Sequence, residues 1–449
     1  MLRLLICLLL CCFAITLANT IVLRQYVLRP TSKAKPTSDV ADVGRYLRRT
    51  SDVLTSDVLT SDIGRLTVRE IESPAGAGSA EPNLFGSADG RIFLSWIEPR
   101  ATTGHALRFA VRKGDGWSEV NQIAEGDNWF VNWADFPSLI ALPNGPLAAH
   151  WLVKSGTGAY AYNINLARST DNGKTWSKPI IPHRDGTQTE HGFVSLIGWP
   201  DGRLGVFWLD GRKFDLKEGS HGGHGPSTNE MTLQYTTIDR DGRLSEETLL
   251  DGRVCECCQT SAAITQTGAI VVYRDRSPGE IRDISVVRFH NGRWSEPQPL
   301  HQDGWKIDGC PVNGPSVAAD GRRVAVAWFT AANNTPRVNV VFSNDAGATF
   351  GQSIQVDNGS PIGRVDVLLL PDGSALVSWL ERTAKGGEVR ARRIQASGSR
   401  DSSILIAETS TARSSGFPHI ARSGNEIIFA WTQPGNQGNP SRVRTAVAP

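Results

Sequence analysis

From residue 64 onward the chain repeats one pattern of apolar and polar positions. A short apolar strand runs into a glycine turn, and a second apolar strand leaves it and ends in an aromatic residue. The turns are Asp89-Gly90, Asn144-Gly145, Asp201-Gly202, Thr267-Gly268, Asp320-Gly321, Asp372-Gly373 and Gly424-Asn425. The aromatics that follow them are Trp96, Trp151, Trp208, Tyr273, Trp328, Trp379 and Trp431. Each unit reads as a β-hairpin, because glycine supplies the backbone freedom that a tight reversal needs. In most units a third strand, a second turn and a fourth strand follow. The units recur every ~50–65 residues, which suits a four-stranded blade with a loop insertion. The expected fold is therefore all-β, a β-propeller of four-stranded antiparallel blades. Seven blades are favoured, with six as the alternative if one unit is merged or irregular. The last unit ends at Pro449, too soon for an outer strand. The alternating segment Leu66-Thr-Val-Arg-Glu-Ile71 is expected to supply that strand, closing the ring and removing an exposed edge.

Before the repeats the pattern changes. Met1-Leu-Arg is followed by an apolar run from Leu4 to Ala18 that continues through Ile21-Val-Leu23. Residues 1–28 thus read as a signal peptide with Thr16-Leu-Ala18 at its cleavage site, or as a retained membrane anchor. The protein is expected to be secreted or periplasmic, or held at the membrane by this segment alone. Residues 29–63 repeat Thr-Ser-Asp-Val and carry too little apolar surface for a core, so they read as a linker. The propeller is assigned to residues 64–449.

One turn recurs almost unchanged. Ser169-Thr-Asp-Asn-Gly-Lys-Thr-Trp176 and Ser343-Asn-Asp-Ala-Gly-Ala-Thr-Phe350 share the form Ser-x-Asp-x-Gly-x-x-aromatic. Asp171 and Asp345 are suited to accept backbone N–H bonds, and Gly173 and Gly347 to adopt positive φ. Trp176 and Phe350 would pack beneath the turn against a neighbouring sheet. With Ser169 and Ser343, this pattern resembles the Asp-box, or BNR repeat, of sialidase-like β-propellers. The resemblance implies a propeller and, as an activity, an exported exo-sialidase-like glycoside hydrolase. Asp-boxes also occur in non-enzymes, so a noncatalytic propeller that binds a glycan or a protein stays open. Sialidases hold the substrate carboxylate with three arginines, use an aspartate as acid/base, and use a Tyr–Glu pair as nucleophile. Arg69-Glu-Ile71 lacks the proline of the family's first arginine motif, and no tyrosine follows Tyr273. The family's catalytic set therefore does not carry over as a whole.

Composition narrows the partners. The 449 residues include 47 basic and 45 acidic side chains, for a formal net charge of +2, so bulk electrostatics favour no nucleic acid. The 45 glycines, 24 prolines and 13 tryptophans suit many short strands and tight turns. In a propeller, the loops leading into inner strands share one end of the channel with the loops leaving second strands. Glu98, Asp210, Asp275 and Glu381 stand two places beyond the strand-ending aromatic, accompanied by Arg100, Arg212, Arg274, Arg276 and Arg382. They are expected either to line a pocket for a glycan or other small anionic ligand, or to pair off between blades. By location, Asp275 or Asp210 would donate a proton, with Arg274 beside them. Arg212, Arg276, Arg364, Glu98 and Glu381 would bind substrate. Removal of a signal containing Cys7, Cys11 and Cys12 leaves Cys255, Cys257, Cys258 and Cys310, an even number that reads as disulfides of unassigned pairing. A metal site of Cys255, Cys257 and Cys258 with His221 and His224 is the alternative, making a metal-binding propeller the third functional reading. No cofactor is otherwise expected.

Overall fold

In the computed structural model, which describes residues 67–214, 230–436 and 438–449, each of the seven glycine-turn hairpins forms the inner pair of its own antiparallel sheet. The segments 1–28 and 29–63, and His221 and His224, lie outside the described residues. The inner strands of blades 1 to 7 are Ala80–Gly86, Ser138–Ala141, His191–Gly198, Ser261–Thr265, Ser316–Asp320, Pro361–Leu369 and His419–Ser423. Their partners are Ile92–Pro99, Leu147–Lys154, Leu204–Asp210, Gly268–Arg274, Arg323–Thr330, Ala375–Thr383 and Glu426–Gln433, each carrying one of the predicted aromatics. Third and fourth strands follow outward. Blade 2 has three full strands, with a fourth edge reduced to the bridge between Leu166 and Ile180.

The ring closes as the alternation near residue 70 predicts. Arg69–Ile71 pairs antiparallel with Arg442–Ala448, the third strand of blade 7, in the register Arg69 to Val447 and Ile71 to Thr445. A strand from the start of the domain thus completes its last blade. Seven hydrophobic clusters then occupy the seven interfaces between neighbouring blades. The aromatic of each second strand lies in the cluster shared with the preceding blade, Trp208 between blades 2 and 3 and Trp328 between blades 4 and 5. Trp96, Trp208, Tyr273, Trp328 and Trp379 have no exposed surface. These rings are core, and their burial drives blade against blade.

The inner strands enclose an axis. Asn83, Ser138, Ser195, Ser261, Ser316, Asp366 and His419, one from each blade, line a central cavity of about 250 Å3. Small polar side chains suit a channel that seven backbones approach closely, and they bind across it, as Ser316 Oγ does to Asp366 Oδ1 at 2.8 Å.

The two recurring turns are built alike. Ser169 Oγ accepts from Gly173 N at 2.8 Å and Asp171 Oδ1 accepts from Thr175 N at 2.9 Å. The bonds of Ser343 with Gly347 N and of Asp345 with Thr349 N match them within 0.1 Å. A Cβ at Gly173 would stand 2.3 Å from Phe109 Cζ, and one at Gly347 2.6 Å from Ile270 Cδ1. Both turns therefore press on the preceding blade, where Trp176 meets Phe109 edge to face.

Candidate functional site

Six of the residues expected at the channel mouth serve the frame. The indole N–H of Trp96 donates to Glu98 at 2.8 Å, that of Trp208 to Asp210 at 2.7 Å, and that of Trp379 to Glu381. A buried indole needs an acceptor, and the residue two places on along the strand lies on the same face. Arg212 then grips Asp210 through Nε and Nη2 at 2.8 and 2.6 Å and reaches Glu247 at 2.7 Å. Glu98 pairs with Arg108 at 2.8 Å. Arg100 pairs with Asp127, and Arg276 with Glu256 and Glu280. These pairs lie mostly within one blade rather than between neighbouring blades.

Arg274 and Asp275 do not share a pocket, because successive side chains on a strand leave by opposite faces. Arg274 turns toward blade 5, donating to the carbonyls of Asn313 and Phe329 at 2.7–2.9 Å and to that of Arg282 at 2.6 Å, with its guanidinium over Trp305. Asp275 leaves by the other face, accepting from Arg276 N at 2.7 Å and from Ser285 Oγ at 3.4 Å. Burial, and then the charge of Asp251, lift its carboxyl to about 6. Asp251 itself accepts the Tyr273 hydroxyl at 2.6 Å.

Arg364 stands on a different device. The inner strands of blades 1, 3 and 6 each carry a bulge at the same end, and there Glu81, Phe193 and Arg364 adopt positive φ of 57°, 52° and 55°. Bulges re-aim side chains, and left-handed backbone at a non-glycine residue is strained. Arg364 donates to Gly416 O and Ala412 O, and lies 4.6 Å over the Trp133 ring. Burial lowers its guanidinium to about 10.

The bulge at Phe193 organises a group that the sequence reading missed. Its backbone N–H donates to Asp135 Oδ1 at 2.8 Å. The Tyr162 hydroxyl lies 2.7 Å from Asp135 Oδ2 and 2.9 Å from Glu190 Oε1. A phenol has one proton to donate, so one of these two acids must bring its own. Burial is the leading cause for both: Asp135 is raised to about 7, and Glu190, with the charges of Asp135 and Glu256 added, to about 8. Glu81 is raised as well, by burial and then by Asp135, and its Oε2 has no hydrogen-bond partner. Tyr162 is fully buried and stacks on Phe130 at 4.0 Å. Gly192 makes room, since a Cβ there would fall 2.0 Å from Asp135 Oδ2. Asp135 and Glu190 both sit in loops that lead into inner strands, which is the positional signal that could have found them.

Glu190 is half-buried and opens on a cleft of about 230 Å3 formed with Thr157, Gly158, Tyr160, Ala161, Gln188, Thr189 and Phe214. Two aromatic rings and several small polar groups thus surround one carboxyl that burial raises to about 8. Beside it His183 and His191 stack at 3.7 Å around Asp185, which His191 Nε2 meets at 3.0 Å.

The four cysteines expected to form disulfides are free. Cys255 Sγ is 3.4 Å from Cys258 Sγ and 3.9 Å from Cys257 Sγ, against ~2.05 Å for a disulfide bond. Among the described residues, no helix is long and apolar enough to cross a membrane.

No known protein-family model and no curated protein sequence matches this chain. Solved structures do align with it. A protein of unknown function from Dyadobacter fermentans is 15% identical, over 85% of this chain and 98% of that one, with a TM-score of 0.48. The NanB sialidase of Streptococcus pneumoniae is 10% identical, over 85% and 94%, at 0.45. The polysaccharide lyase Uly1 is 9% identical, over 84% and 91%, at 0.48. At this level of likeness the fold stands on the strand pairings themselves, which close seven blades into a ring.

Proposed function

We propose that this protein is an exported propeller that acts on a carbohydrate, bound in the cleft between Tyr160 and Phe214 and hydrolysed with Glu190 as general acid. The observation that supports this reading is the Tyr162 hydroxyl shared between Asp135 and Glu190. An acid that keeps its proton to about 8 is charged with it at working pH. In the reaction the glycosidic C–O bond breaks as the Glu190 proton passes to the leaving oxygen. Water adds to the anomeric carbon, and its proton restores the acid. Aromatic rings flanking a carboxyl, with amide and hydroxyl groups around them, suit the mixed apolar and polar faces of a sugar. Export rests on the apolar run in residues 1–28.

Sialosides are the first substrates to test, given the two Ser-x-Asp-x-Gly-x-x-aromatic turns. Arg274 and Arg364 are committed to backbone carbonyls, so the anionic group of such a substrate would need other partners. The complete burial of Tyr162 favours a second reading, in which the cleft binds a glycan without turning it over. A panel of fluorogenic glycosides, with a glycan array in parallel, separates the two. Turnover lost in Glu190→Gln supports the hydrolase, and array binding that Tyr160→Ala abolishes, without turnover, supports the binding protein. Neither turnover nor binding overturns both.

A further inference from the structure

The sequence Cys255-Glu-Cys-Cys258 connects the outer strand of blade 3 to the inner strand of blade 4. It is pinned to the blade-4 hairpin, where Cys255 N donates to Arg274 O at 3.0 Å. Its three sulfur atoms lie within 4.8 Å of one another. Three thiolates sharing one cation at bonds of about 2.3 Å stand about 3.8–4.0 Å apart. The separations of 3.4 and 3.9 Å are near that spacing and far from a covalent bond.

Two donors aim at these sulfurs. Arg282 Nη1 is 3.3 Å from Cys255 Sγ, and the backbone N–H of Asn313, from the loop leading into blade 5, is 3.4 Å from Cys258 Sγ. Donors of this kind favour thiolate over thiol, and outer hydrogen bonds of this kind orient metal ligands. The guanidinium of Arg282, itself fixed by Glu256 and Glu280, offsets the negative charge that gathered thiolates would carry. Cys310 comes from the same blade-5 loop and is exposed; it stands outside the group of three mutually close sulfurs and offers a fourth from the solvent side.

We propose that Cys255, Cys257, Cys258 and Cys310 bind one soft, thiophilic cation of the Cu(I) or Zn(II) type. An all-sulfur donor set suits such ions and disfavours magnesium or calcium. The site needs no histidine and is independent of the carbohydrate reading.

The test uses the full chain, purified anaerobically under reductant and stripped with a chelator. It is titrated in one arm with Cu(I) against a chromophoric Cu(I) chelator, and in the other with Zn(II) against a zinc indicator. The expected result is one equivalent of one of these cations per chain, with affinity falling by more than about 100-fold in Cys257→Ser. Cys310→Ser, at an exposed position that leaves the core intact, weakens binding while the circular dichroism stays that of the wild type. The arm that saturates names the cation. Failure of the reduced wild-type chain to retain either cation overturns the proposal. So does a Cys255–Cys258 disulfide found by peptide mapping in protein isolated without reductant that reductant does not open.

Discussion

Asp135→Asn is expected to stabilise the protein at alkaline pH and leave it nearly unchanged in acid. Asp135 is 3% exposed, and burial lifts its carboxyl from 3.8 to about 7. The folded chain therefore holds this proton more tightly than the unfolded chain. The stabilisation is complete below 3.8 and is lost as pH rises through about 7. A shift of about three pH units corresponds to about 4 kcal/mol, the cost of forcing a charge onto this group in the fold. The amide that replaces it keeps an oxygen for Phe193 N and offers N–H to the Tyr162 hydroxyl, which then donates to Glu190. It has no charge to desolvate. Urea denaturation followed by tryptophan fluorescence, at intervals from about pH 4 to 9, gives both curves. The wild type is predicted to lose several kcal/mol relative to the variant across this range, and the variant to be the more stable protein at the alkaline end. Parallel curves, or a variant less stable at every pH, would refute the shared-proton reasoning.

Three further outcomes follow from close contacts. Gly192→Ala drives a methyl group into Asp135 Oδ2 and is expected to cost about 2–4 kcal/mol and to flatten the wild-type pH dependence of stability, read by the same denaturation series. Arg274→Met leaves the carbonyls of Asn313, Arg282 and Phe329 without their donor, for a loss of about 3–5 kcal/mol in urea. Gly173→Ala meets Phe109 at φ 85° and is expected to cost about 2–4 kcal/mol, whereas Gly114→Ala, at positive φ in open space, costs about 1 kcal/mol; equal losses in thermal melts would dismiss the contact with blade 1.

Repetition made the fold legible. The seven glycine turns, the seven strand-ending aromatics and the closing segment at Arg69–Ile71 are local patterns whose meaning repeats around the ring. The candidate site was legible only by position. The repeats mark the loops at the channel end, but of the residues leaving second strands Glu98, Asp210 and Glu381 are taken by the indole two places before them. Arg274 and Asp275, adjacent in sequence, point to opposite faces. Asp135, Tyr162 and Glu190 come from a loop, a third strand and another loop, and they meet because Gly192 lacks a side chain and Phe193 turns at a bulge. No spacing in the chain encodes that encounter. The cysteine run was visible, but choosing between bonded and free thiols required the distances.

The most direct measurement of the central claim, an acid beside the cleft that stays protonated at neutral pH, is an infrared difference spectrum. It compares the wild type with Asp135→Asn/Glu190→Gln from about pH 5 to 9. The account predicts a protonated-carboxyl band in the wild type that persists through neutral pH, fades only toward pH 8 and is missing from the double variant. Identical spectra for the two proteins at pH 6–7 would contradict it.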